Sequence, residues 1–264
     1  MAVPIPMRER VAVLLVGPET GGNVGSVARL MKNFGFKELI VLNPEPPDFP
    51  DYETYGFAMH GREILDRARV IRTQPQEHLA AYRALLHEFD VVIGTTAKGE
   101  HYANLKRLPV YLDQLHLPEL GPEQKVCLVL GRESRGLTNE EILLVDFVVR
   151  IRTHPDYSSL NLAQAAGILL YYLFQQLRAK PLNQVLAITT DQKEQLNKVI
   201  LEIVDIARVR TARKDRVLRA FQNVFGRSFM SQKEFKMIYG LFLQARRELA
   251  RREPEVENTT KEED

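Results

Sequence analysis

The sequence predicts an α/β protein with a mostly parallel sheet, followed by a small all-helical domain. Two observations predict this. Short, nearly continuous apolar runs recur through the first two-thirds of the chain with helical patterns between them, and no strand pattern occurs from Thr190 to Arg252. Strands covered on both faces read as unbroken apolar runs, and strands alternating with helices imply right-handed βαβ crossovers.

The strands are "VAVLLVG" (11–17), "ELIVL" (38–42), "DVVIG" (90–94), "KVCLVLG" (125–131) and "DFVVRI" (146–151), with a less apolar run, "RVIRT", at 69–73. Helical spacing fills 23–34, 60–68, 76–88, 108–116 and 160–178. The α/β domain therefore spans 1–180. "AKPLNQVLAITTDQ" breaks the pattern with Pro181 and Asn183, so 181–189 reads as a linker. A helix opens near Thr190 on a Thr or Asp cap, and two more fit 213–224 and 231–250 with Gly226 between them. These form a helical extension, 190–252. The tail 253–264 has almost no apolar content and reads as disordered.

Composition narrows the classes. The chain has 264 residues, 45% apolar and 27% charged, as ordinary globular proteins do. No apolar run approaches the roughly 18 residues of a membrane span. "MAVPIPMRERVAVLLVG" lacks the long apolar core and cleavage site of a signal peptide, so the protein reads as cytoplasmic, with no membrane partner. The single cysteine, Cys127, forms no internal disulfide and reads as a buried hydrophobe. Six scattered histidines give no metal-ligand spacing, so no metal is expected. The net charge of +2 conceals an asymmetry: 190–252 holds 15 Lys/Arg against 7 Asp/Glu, whereas the tail holds 1 against 6. A basic block suggests a polyanionic partner.

Glycines after the first strand suggest a phosphate loop. Gly17 and Gly22 have its spacing, but Asn23 and Val24 stand where Lys and Ser/Thr belong. The dinucleotide pattern also fails: Gly21, Gly22 and Gly25 fit it in no register, and the later ribose-binding acid is missing. Both failures argue against a nucleotide-dependent oxidoreductase or NTPase. A tight strand–helix turn with Asn23 as N-cap accounts for the glycines. Arg29, among the apolar Val24, Val27, Ala28, Leu30 and Met31, taken alone is an edge residue of that helix.

Two later stretches change the weighing. "LVLGRESRGLTNEEI" (128–142) is a strand followed by Gly131, Glu133 and Gly136. "IRTHPDYSSLNLAQAAGILLYYL" (151–173) is a strand end, a polar turn with Ser159 or Asn161 as N-cap, and a long apolar helix. With N23-V-G-S-V-A-R29, L130-G-R-E133-S-R-G136-L137 and S159-L-N161-L-A, the chain resembles the SpoU branch of the knotted SPOUT RNA methyltransferases over about 10–178. The extension resembles that of the TrmJ subgroup, tRNA 2′-O-methyltransferases acting at anticodon-loop position 32.

The resemblance implies a C-terminal deep trefoil knot and S-adenosyl-L-methionine held bent within it. The cofactor-binding residues it implies are Thr96, Ala97, Lys98, Gly131, Glu133, Ile151, Ser158, Ser159 and Leu160, with Gly131 and Gly136 allowing close approach to adenine. Arg29, Asn23, Ser159 and Asn161 become the catalytic set. A guanidinium titrates above about 12, so Arg29 is expected to orient the 2′-hydroxyl and stabilise the alkoxide rather than act as base. Ser159 and Asn161 are expected to position ribose and methionine groups, Asn23 to hold the loop or substrate, and Glu133 to cap a local helix. The glycine loop would lie at the substrate side, facing RNA backbone. A homodimer with composite sites would use the helices at 23–34 and 160–178. In the extension, Arg208, Arg210, Arg213, Lys214, Arg216 and Arg219 would grip tRNA. Ribosomal RNA as substrate, or a catalytically silent RNA-binding protein, are the alternatives.

Overall fold

The computed structural model describes residues 7–97, 109–117, 121, 123–178, 188–207, 211–228 and 230–259. The chain divides into two compact units, Met1–Gln184 and Val185–Asp264; most of the stretch read as a linker, 181–187, lies outside the described residues.

Among the described residues the first unit holds seven strands, all parallel, in the order β3-β2-β1-β6-β4-β7-β5. They are β1 (Val11–Val16), β2 (Glu38–Leu42), β3 (Arg69–Ile71), β4 (Val91–Thr95), β5 (Pro109–Tyr111), β6 (Val126–Leu130) and β7 (Phe147–Arg150). β1 and β6 lie side by side at the centre and every residue of both is buried, the reason their sequences are unbroken apolar runs. Alternation sends Ala12, Leu14 and Val16 to one face, where they pack with Tyr82, Leu85 and Leu86. Those three belong to α4 (His78–Leu86). Val11, Val13 and Leu15 point to the opposite face. There α1 (Gly21–Phe34) packs on α2 (Tyr52–Ala58), α3 (Arg62–Asp66) and α6 (Leu162–Arg178).

The structure also departs from the expected elements. Residues 109–111 form an edge strand rather than the start of a helix, pairing Val110 with Val149; only 112–114 turn helically. Pro109 suits that edge, where a missing N–H removes no needed ladder bond. α2 was unanticipated, although its signal is in the sequence: Asp51 accepts from the Thr54 N–H at 2.7 Å in a capping box. A short α5 (Asn139–Ile142) is likewise capped by Thr138.

The second unit is helical: α7 (Thr190–Ile206), α8 (Thr211–Ser228) and α9 (Gln232–Thr259). Thr189 caps α7, its hydroxyl accepting from Gln192 N. Leu196, Val199, Ile200, Met230 and Phe235 build its core, with Phe221 edge-on to Phe242 at 5.8 Å. Gly226 lies inside α8, not between helices. α9 carries helical backbone through 253–259, part of the stretch read as a disordered tail. Among the described residues no helix is long and apolar enough to cross a membrane.

Candidate active site

The carboxyl ends of parallel strands are where an open α/β sheet offers a crevice. Here the ends of β4, β6 and β7 enclose a cavity of about 270 Å³. Its wall comes from Thr95–Ala97, Leu130–Leu137, Ile151 and Ser158–Leu160, and its apolar floor from Leu162, Ala165 and Leu169 of α6. Eight of the nine expected cofactor residues line it: Thr96, Ala97, Gly131, Glu133, Ile151, Ser158, Ser159 and Leu160. Lys98 lies outside the described residues.

Two glycines shape one wall, for reasons inside the protein. A Cβ on Gly131 would stand 2.2 Å from the Gly136 carbonyl carbon, so the turn closes on itself there before any ligand enters. Gly136 has φ +70° with open space around its Cα, a conformation that favours glycine. The turn is clamped: Gly136 N–H donates to Arg132 O at 2.8 Å. The Arg132 guanidinium is bidentate to Glu141, with Nη1 to Oε2 at 3.0 Å and Nη2 to Oε1 at 2.9 Å. Burial works to push the Glu141 carboxyl up, but bonds from Arg132, the Thr138 backbone and His78 outweigh it and hold it below its ordinary value. The sequence did not single out Arg132 or Glu141; the capping pattern Thr138-x-x-Glu141 was the available sign.

The three motifs meet beside the cavity. Asn23 Nδ2 donates to Glu133 Oε1 at 2.8 Å, and Asn161 Nδ2 donates to Asn23 Oδ1 at 2.9 Å. Asn161, not Ser159, caps α6: its Oδ1 accepts from Ala163 N at 2.9 Å and Gln164 N at 3.4 Å. Asn23 is not an N-cap, since it lies inside the first turn of α1. Glu133 does not cap a local helix. Its carboxylate accepts from Glu19 N at 2.8 Å, Thr20 N at 3.4 Å and the Thr20 hydroxyl at 3.3 Å, at the N-terminus of α1, more than a hundred residues away in sequence. The protein's own carboxylate thus stands at the positive end of α1, on the N–H groups just before its first turn.

Arg29 stands apart. It is exposed and lines a shallow groove with Ser26, Asn33, Phe57, Met59 and Gln164, between α1, α2 and α6. The structure therefore places Ser159 in the cavity wall, links Asn23 and Asn161 to that wall through Glu133, and leaves Arg29 in the neighbouring groove.

The SpoU rRNA Methylase family profile matches residues 10–171, spanning the sheet, all three motifs and the first part of α6. The chain belongs to the SpoU methylase family. Among its relatives, the tRNA (cytidine-2′-O-)-methyltransferase TrmJ of Methanocaldococcus jannaschii is 33% identical over 227 residues, 85% of this chain and 94% of that protein. The tRNA (cytidine/uridine/adenosine-2′-O-)-methyltransferase TrmJ of Pseudomonas aeruginosa is 31% identical over 257 residues, 91% and 95% of the two chains. Among solved structures, a probable methylase family protein from Haemophilus influenzae Rd KW20 superposes with a TM-score of 0.58 at 25% identity, covering 92% of this chain and 99% of that one. The similarity to TrmJ from Z. mobilis ZM4, at TM-score 0.59 and 22% identity, concerns the fold.

In the helical unit, beyond the residues the family profile matches, two of the cations expected to face RNA are placed otherwise. Arg219 is only 7% exposed, turned into the packed unit, and so leaves the surface set. Lys214 is half-buried and paired with Asp205. Arg213 and Arg216 are exposed, while Arg208 and Arg210 lie outside the described residues.

Proposed function

We propose that this SpoU-family protein transfers a methyl group from S-adenosyl-L-methionine to a ribose 2′-hydroxyl of tRNA, at anticodon-loop position 32. The reading rests on one observation above the rest: Asn23, Glu133 and Asn161, from three separate motifs, form one hydrogen-bonded cluster that adjoins the cavity through its lining residue Glu133. Relatives named as tRNA 2′-O-methyltransferases align along most of the chain, helical unit included, which supports tRNA over ribosomal RNA. Cytoplasmic residence accords with such a substrate.

The cavity suits a bent nucleoside. Its volume is close to the lower end of the roughly 300–1,000 Å³ of small-molecule sites. Thr96, Gly131–Gly136 and Ile151 line it on one side, and Leu162 and Leu169 supply apolar contact. When bound, the cofactor supplies an electrophilic methyl group. Ser159 and Asn161 place the ribose, and Asn23, held by Glu133, keeps Asn161 in register. Arg29 donates hydrogen bonds toward the hydroxyl oxygen as charge develops on it, a term removed by substitution at a cost of about 10²–10³ in rate.

Arg29 lies on a face that also exposes Ile168 and Tyr171 of α6. We propose that a second copy packs there, so that each site is completed across the interface; sedimentation velocity reads this directly. A deep trefoil knot in the last part of the α/β domain is proposed with it, and the placement of β6 between β1 and β4 is compatible with that path.

The test of function is incubation of the purified protein with labelled S-adenosyl-L-methionine and separate pools of tRNA and ribosomal RNA, followed by ribose mapping. Label at the 2′-oxygen of tRNA position 32 is expected. Label confined to ribosomal RNA would replace the substrate. No label, with no cofactor binding by titration, would overturn the enzymatic reading.

A further inference from the structure

Behind the cavity wall lies a polar chain that the methyl-transfer chemistry does not use. It begins just past β2, at Asn43, which has φ +51°, a conformation Asn tolerates better than most residues. Asn43 Oδ1 accepts the backbone N–H of Thr73 at 2.7 Å. A backbone N–H only donates, so the amide orientation is fixed. Its Nδ2 then carries one hydrogen to Thr73 Oγ1 at 2.9 Å and the other to His78 Nδ1 at 2.9 Å. Nδ1 must accept, which leaves the hydrogen of the neutral ring on Nε2. That hydrogen points at Glu141 Oε1, 2.6 Å away. The ring plane is set by Tyr82, stacked on it at 6.3 Å between centroids and 4° between planes.

Glu141 has no exposed surface and its four acceptor positions are all engaged. Oε1 takes His78 Nε2 and Arg132 Nη2; Oε2 takes Arg132 Nη1 and Thr138 N, the last at 2.7 Å. Removing one donor therefore leaves a buried, unsatisfied lone pair and frees the carboxylate to rotate. The guanidinium it holds belongs to the residue after Gly131, and Arg132 Nη1 also reaches Gly136 O at 3.4 Å, across the turn that walls the cavity.

We propose that Asn43, His78 and Glu141 form an orienting relay for Arg132, and that His78, in its Nε2–H tautomer, is a positioning residue that sets the shape of the 131–136 turn and hence the affinity for the nucleoside cofactor. The inference rests on the assignment of this cavity to S-adenosyl-L-methionine. Imidazole–carboxylate pairs orient the ligands of metal sites in a related way, there with the carboxylate fixing the tautomer of the ring.

The experiment uses the full chain, titrated with S-adenosylhomocysteine. His78→Leu deletes the donor to Glu141, and a hydrogen bond to a charged group is worth roughly tenfold or more in an equilibrium. About tenfold weaker binding is expected. KM for S-adenosyl-L-methionine should rise in step, while kcat at saturating cofactor stays the same. His78→Gln, whose amide N–H can meet Glu141, should recover most of the loss. Nitrogen NMR of the wild-type imidazole should show Nε2 protonated. Unchanged affinity in His78→Leu would overturn the relay, as would a loss that Gln does not recover, a parallel collapse of kcat, or an Nδ1–H ring. Should His78→Leu fail to fold, the Gln variant and the wild-type tautomer decide. Wild-type protein that does not bind S-adenosylhomocysteine would instead remove the cofactor assignment, and the relay's purpose with it.

Discussion

Two arginines from the motif regions are treated oppositely by the fold. Arg132 has a side chain only 10% exposed, and both its Nη atoms are spent on Glu141. Arg29 is exposed on α1 and, among the described residues, makes no hydrogen bond or ion pair. A guanidinium presents five donors in a fixed fork, so one whose terminal nitrogens are held by a buried carboxylate shapes the protein, and one left open is available to a ligand. Sequence alone does not separate them, since nothing local to either shows whether it has an internal partner. The number of internal partners does.

The sharpest way to break the comparison is at the held arginine. Glu141→Ala would leave the Arg132 charge buried and unpaired, at a cost of about 3–5 kcal/mol of folding stability. Chemical denaturation of the first unit should show it as a lowered midpoint. Acid should act through the same pair. The Glu141 carboxyl is held below its ordinary value, so its contribution is whole above the ordinary carboxylate range and is lost as pH falls through the lower folded value. Glu141→Gln should accordingly flatten the acid limb of the stability curve. An unaltered limb would mean that other carboxylates dominate it.

At the free arginine the expected sign pattern reverses. Arg29→Ala should leave stability within about 0.5 kcal/mol, as exposed positions do. It should lower the methyl-transfer rate by about 10²–10³ while cofactor affinity holds. Equal loss of cofactor binding would place Arg29 in the cofactor cavity, against the geometry, which puts it in the adjoining groove.

The sheet was largely legible because its strands are buried on both faces and need no partner to be recognised: 11–17, 38–42 and 125–131 appear within a residue or so of β1, β2 and β6. β5 was not, because three residues on an edge carry too little periodicity to outweigh the helical spacing around them. The motif residues were legible as types, but their partners were not. That Glu133 reaches back to the N-terminus of α1 depends on β6 lying next to β1, a pairing that nothing local in 128–142 encodes. Asn23 was misread for the same reason. A local capping rule explained it adequately, while its actual bonds, to Glu133 and Asn161, are to residues 110 and 138 positions away.

The smallest effect tests whether the same distinction holds in the helical unit. Arg216 is exposed on α8, whereas Arg219, three residues on, is buried and its Nη1 approaches Gln222 Oε1 at 3.4 Å. Sequence spacing puts both in one basic run and treats them alike. If the unit grips tRNA phosphates through its open cations, Arg216→Gln should leave thermal unfolding unchanged and weaken tRNA binding. The slope of log affinity against log salt should become shallower by about 0.9 if a helical phosphate is lost, or about 0.7 for a single-stranded one. Arg219→Gln should do the reverse: the salt slope holds, and stability falls by about 0.5–3 kcal/mol because a buried, packed side chain is replaced. Matching salt slopes in the two variants would show that burial does not decide which cations meet the RNA. An unchanged slope in Arg216→Gln alone would move the phosphate contact elsewhere, with Arg213, also exposed on α8, the next position to substitute.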